Sequence, residues 1–131
     1  MKVSAKAWLS LSLLAMLPLA VASPASAAPR VIDSHCSRTG DYCTLILKKA
    51  DGSIVFSIRA FADYFGRAEA CVKKQTRVCH STSPRKGPHL YFWNIRWQGN
   101  YPKQGPGRYK VRWRDVSSGT AIGPALYFHR G

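Results

Sequence analysis

From residue 28 onward, apolar residues come in short runs, alternate with polar ones, and are cut by turn residues every eight to twelve positions. Alternation with a period of two places successive side chains on opposite faces of a strand. "VIDSHC" (31–36) reads as a first strand and "YCTLILKK" (42–49) as a second, with Cys43, Leu45 and Leu47 opposite Thr44, Ile46 and Lys48. "ADGS" (50–53) is an Asp-Gly hairpin signal before "IVFSIRAF" (54–61), where Ile54, Phe56 and Ile58 share a side. "ADYFGRAEA" (62–70) is rich in alanine, but Gly66 and its short length point to an irregular connection. "ACVKKQTRVCHS" (70–81) has the form of a tight hairpin with two cysteines facing across it. Residues 82–89, with two prolines and a glycine, read as a loop, and 98–107 as another. Between them "LYFWNIRW" (90–97) keeps Tyr91, Trp93, Ile95 and Trp97 in phase. The strands 108–114 and 125–130 complete the chain.

That makes about seven to eight short strands with no sustained helical periodicity and no internal repeat. The pattern predicts an all-β fold, an immunoglobulin-like antiparallel β-sandwich. The four cysteines, Cys36, Cys43, Cys71 and Cys79, allow three pairings. "SRTGDY" and "VKKQTRV" both read as turns, which favours two local disulfides, Cys36–Cys43 and Cys71–Cys79.

Residues 1–27 have a different character. Lys2 and Lys6 precede an apolar run from Ala7 to Ala22, and Ala25-Ser26-Ala27 offers small residues for cleavage. This is the layout of a secretory signal peptide, with the cut expected after Ala27. The run is short and broken by Ser10, Ser12 and Pro18, so no transmembrane segment is expected in the mature chain. A single secreted domain, 28–131, is left, extracellular or periplasmic, in a compartment where disulfides persist.

Charge changes the picture further. The whole chain carries a formal net charge of +14. Residues 71–131 hold twelve cations against Asp115 alone, while 28–70 are nearly balanced, with six cations and five anions. Such asymmetry points to an anionic polymer or cell-envelope surface as partner. In "GRYKVRWRD" (107–115), Tyr109, Val111 and Trp113 fall on one side and Arg108, Lys110, Arg112 and Arg114 on the other. This row is either a binding site or the wet side of a half-buried strand. If Trp113 lies opposite Leu126 and Val111 opposite Phe128, Arg112 stands beside Tyr127 and Lys110 beside His129. Cations interleaved with rings can hold phosphates or sulfates and stack on bases or sugars. The candidate ligand-binding residues are Arg96, Lys110, Arg112, Arg114, Tyr127 and His129.

Other chemistry is poorly supplied. No Gly-x-Ser-x-Gly, His-Glu-x-x-His or phosphate-cradling glycine loop occurs. The His-Cys neighbours at 35–36 and 79–80 lack the close cysteine spacing of a zinc site, so no metal and no cofactor are expected. A small nuclease would draw on His35, His89 or His129, which sequence does not place together.

"GRYKVRWRDVSSGTAIGPALYFHR" resembles the closing hairpin of small exported bacterial sandwiches, including periplasmic copper-resistance chaperones. The likeness rests on Gly107-x-Tyr109-x-Val111-x-Trp113-Arg114, the Ser118-Gly119 turn and Leu126-x-Phe128, about a fifth of the mature chain. It implies an exported sandwich. It does not carry copper, because that family's histidines have no counterpart: the mature chain starts near Ala28-Pro29-Arg30, and Thr120 follows Gly119. The expectation is a non-enzymatic binding protein for a polyanion. Its rival is an inhibitor or interaction module that grips a secreted protein partner through loop 82–89 or 98–107.

Overall fold

The computed structural model describes residues 28–131; the expected signal peptide, residues 1–27, lies outside the described residues. Nine strands form: β1 (Arg30–Cys36), β2 (Tyr42–Lys48), β3 (Ile54–Ala60), β4 (Ala68–Lys73), β5 (Arg77–Thr82), β6 (Arg85–Lys86), β7 (Tyr91–Arg96), β8 (Gly107–Asp115) and β9 (Ala121–Arg130). They assemble into two antiparallel sheets, ordered β1-β2-β3-β7-β6 and β5-β4-β8-β9. The sandwich expected from the alternating pattern is therefore present.

The strand count exceeds the expectation because the proline-rich stretch 82–89 contributes β6. It pairs Arg85 with Phe92 and Lys86 with Tyr91. Pro84 and Pro88 flank it, and a proline has no N–H to extend a ladder, so two residues are all it reaches. The stretch 62–70 is irregular as far as Arg67 and then enters β4.

The inner faces meet in one core. Ile46, Phe56, Ile58 and Trp93 from the first sheet pack against Val72, Tyr109, Val111, Trp113, Leu126 and Phe128 from the second. Tyr109 and Phe128 stack at 5.1 Å, and Trp97 and Phe56 approach Phe128 at 5.5 and 5.7 Å. Aromatic area dominates, and its polar ends are used in part: the Tyr101 hydroxyl donates to the Ala70 carbonyl at 2.7 Å and Trp93 Nε1 to the Gly66 carbonyl at 2.6 Å, while Trp97 and Trp113 Nε1 have no acceptor among the described residues.

Both disulfides form as expected, Cys36–Cys43 and Cys71–Cys79, each between directly opposed residues of neighbouring strands. Along one side of the sandwich β1 meets β9, and the Asp33 carboxylate accepts a hydrogen bond from the Tyr127 N–H at 2.9 Å. An edge-strand donor is thereby satisfied from the opposite sheet.

The closing hairpin differs from its expected register. Val111 lies opposite Leu126, Tyr109 opposite Phe128 and Trp113 opposite Ile122. Gly123, Pro124 and Ala125 thus span the width of Arg112 alone, a bulge that shifts the pairing by two residues. Gly123 adopts φ 73° there, and an added Cβ would stand 3.3 Å from His35 Cδ2. A shift of two keeps every side chain on its face and changes only its neighbours.

Candidate polyanion-binding face

The outer face of the second sheet is built by alternation on four strands. β8 contributes Arg108, Lys110, Arg112 and Arg114; β4 adds Glu69, Cys71 and Lys73; β5 adds Arg77, Cys79 and Ser81. Register aligns them in rows. Arg77, Lys73, Lys110 and Tyr127 form one row, and Cys79, Cys71 and Arg112 the next. Neighbours along a row lie about 5 Å apart and rows about 7 Å apart.

Lys73 and Lys110 are therefore directly opposed like charges, with Arg77 on the far side of Lys73. Such pairs destabilise a sheet until a counter-ion arrives. Lys73, Arg77, Lys110 and Arg112 rim a small depression of about 90 Å³ that Cys71 also lines. Four cationic heads around one disulfide leave an apolar floor and an anion-seeking edge. An Arg77 terminal nitrogen lies 3.4 Å from Cys71 Sγ, which anchors that guanidinium over the disulfide.

The six candidate residues divide. Lys110 and Arg112 are exposed in the depression, as expected. The observed register places Tyr127 beside Lys110 rather than Arg112, and His129 beside Arg108 rather than Lys110. The Arg108 guanidinium sits 3.8 Å over the Tyr127 ring, so one ring face expected for bases or sugars holds an arginine instead. Arg114 is in the row but ion-paired with Glu69, which removes it as a free cation. Arg96 is not brought to this face. It stands on β7 opposite Val55, on the outer side of the other sheet.

Three residues outside the candidate set join the face: Lys73, Arg77 and Arg108. Arg108 stands in the same alternating row as Lys110. Lys73 and Arg77 belong to the basic hairpin tip "KKQTR", but their approach to β8 depends on a non-local pairing that no local pattern encodes. Nearby, Gln104 clips loop 98–106 to that tip: its side-chain oxygen accepts from the Gln75 and Thr76 N–H groups at 2.6 and 2.7 Å, and its amide donates to the Thr76 carbonyl at 2.8 Å.

Metal and nuclease chemistry find little here. Glu69, Cys71 and Cys79 bring possible ligand atoms together, but the sulfurs are bonded to each other and Glu69 is engaged by Arg114. His35 packs toward Gly123 between the sheets, His129 lies on the outer face of β9, and His89 precedes β7, so the structure does not gather the three histidines. Among the described residues no helix is long and apolar enough to cross a membrane, and the two disulfides are in keeping with an oxidising compartment. Compared with known proteins, the chain matches no family model, no curated protein and no solved structure.

Proposed function

We propose that this is an exported, non-enzymatic binding protein that takes an anionic polymer or envelope surface on the outer face of its second sheet. The observation that carries this reading is the row Arg77–Lys73–Lys110, three cations side by side with no carboxylate among them and Arg112 adjoining. A strand needs polar residues toward water, but it does not need cations directly opposed across two strand pairs, because that arrangement costs stability. An anion with repeated charges would turn the cost into attraction. Two features support export: the amino-terminal pattern of residues 1–27, and the use of all four cysteines in disulfides. The resemblance of the closing hairpin to exported bacterial sandwiches agrees with it.

The test is binding of the oxidised protein to polyphosphate, single-stranded DNA and an anionic polysaccharide across a salt series. Affinity for at least one polymer should fall steeply with salt, as counter-ion release requires. Lys110→Glu/Arg112→Glu should weaken it about a hundredfold, since each lost contact is charge-assisted. Weak and uniform binding unchanged by that variant would mark the row as solvated surface. Salt-insensitive binding of a protein would favour the rival reading, contact through 82–89 or 98–107.

A further inference from the structure

The outer face of the first sheet is of another kind. Leu45, Leu47 and Val55 form a second small apolar cluster there, with Cys43 packed against it. Among the described residues no strand lies over them. Two adjoining concavities cross this face, of about 280 and 210 Å³. Leu47, Val55 and Phe92 line the first, rimmed by Lys49 and Arg96. The second is bounded by Cys43, Leu45, Phe61 and Leu90, with Asp41 at its end. Arg59 lines both.

Arg59 is the anomaly. It is half-buried, centred on the face between Cys43 and Phe92, and its Nε is buried without a hydrogen-bond partner. Among the described residues the one ion pair joins Arg114 to Glu69, so no carboxylate reaches Arg59. Asp41 accepts instead from the Thr39 hydroxyl at 2.6 Å. Asp51, whose carboxyl is held low first by the Ser53 hydrogen bonds and then by Lys49 and Arg96, is engaged in its own turn. The Ser57 hydroxyl, fully buried in the same face, also has no acceptor. A lysine so placed could shed its proton, but a guanidinium cannot, and its buried Nε is left as a donor without an acceptor.

We infer that this groove binds a single-chain acyl carboxylate, a fatty-acid anion, with its head at Arg59 and its chain along the leucine stripe. The position of Arg59 gives the ligand its direction. Arg59 lies where the two concavities meet, level with Cys43, so a head held there leaves the chain to run along Leu45 and Leu47 beside it. From Leu47 to Cys43 the stripe is about 13 Å long, four strand rises, enough for a medium-length chain. β2 and β3, the strands beneath the stripe, are paired on both sides, so they offer no free N–H or C=O to an extended peptide lying along it. An acyl chain has no such groups to satisfy.

The probe is dodecanoate below its micelle concentration, titrated calorimetrically into the oxidised protein beside 1-dodecanol and butanoate. Dodecanoate should bind one to one, and the alcohol and the short acid each at least about tenfold more weakly, since one lacks the charge and the other the chain. Arg59→Gln should cost about tenfold, and the exposed rim change Arg96→Gln less, while Lys110→Glu/Arg112→Glu on the other sheet should change nothing. The inference is overturned by dodecanol binding as well as dodecanoate, by Arg59→Gln binding like the parent, or by no saturation at millimolar dodecanoate. Should Arg59→Gln fail to fold, the comparison of dodecanoate with dodecanol on the parent protein still decides the matter.

Discussion

The two sheets share one core and present opposite solutions to the same requirement, a face turned away from it. On the second sheet that face is a grid of cations, relieved at one point by the Glu69–Arg114 pair. The first sheet shows leucine, valine and a disulfide, with Arg59 set among them and Arg96 at the rim. A half-buried strand that merely faces water would mix both signs of charge and avoid direct like-charge neighbours. Neither face does so. The difference teaches that net charge alone, +14 over the chain, is a poor guide to a site, because the informative quantity is which cations have lost their partners.

The largest test of that contrast uses the disulfides, one beneath each face. Replacing either pair by alanine should cost about 2–3 kcal/mol in urea unfolding, given loops this short. Their effects on binding should diverge. Cys71→Ala/Cys79→Ala removes the floor of the cationic depression and should weaken polyanion binding, whereas Cys36→Ala/Cys43→Ala should leave it unchanged. Equal losses from both would mean that the two faces are not independent.

A smaller effect comes from Tyr101, which ties the segment after β7 to β4 across the core. Burial pushes its phenol above the usual tyrosine range. A raised folded-state value favours the protonated form, so the stability it contributes is complete below pH ~10 and is lost as pH rises beyond that. Tyr101→Phe should cost about 1 kcal/mol near neutrality, through the lost bond to the Ala70 carbonyl. The gap between parent and variant should close above pH ~10 in stability measured against pH. A constant gap would mean that the phenol does not titrate differently on folding.

The smallest effect sharpens the second sheet itself. Glu69→Gln frees Arg114 and should change stability by less than about 1 kcal/mol, because the pair is partly exposed. Polyanion affinity should rise, and the logarithmic salt slope should steepen by about one. An unchanged slope would place Arg114 outside the footprint.

What could be read from sequence follows the range of the physics involved. The inward set Tyr109, Val111 and Trp113 was legible because period-two alternation is local, and all three are buried together. Cysteines bracketing short turns were legible for the same reason. Partner choice was not. Lys73 reaches Lys110 through a pairing between distant segments, and nothing near either residue encodes it. Arg96 shows the converse error: its outward phase was readable, but its sheet was not. The last strand is expected only from residue 125, yet β9 begins at Ala121 and carries Gly123 and Pro124 in its bulge, where Gly123 lies close to His35 and Thr44 of the other sheet. The unpaired state of Arg59 is a tertiary fact throughout.

The locality of the disulfides also bears on how the molecule is made. The bonded cysteines are 7 and 8 residues apart, so each bond can close inside its own hairpin before the sheets meet. The competing Cys43–Cys71 pair spans a loop four times longer than Cys36–Cys43, which lowers its encounter frequency about eightfold for a flexible chain. Oxidation therefore runs ahead of tertiary assembly and commits few molecules to wrong partners. Among the described residues only the β3–β7 and β4–β8 pairings join distant segments, and neither disulfide waits for them, which leaves the oxidant, rather than reshuffling by an isomerase, to set the pace of the covalent steps.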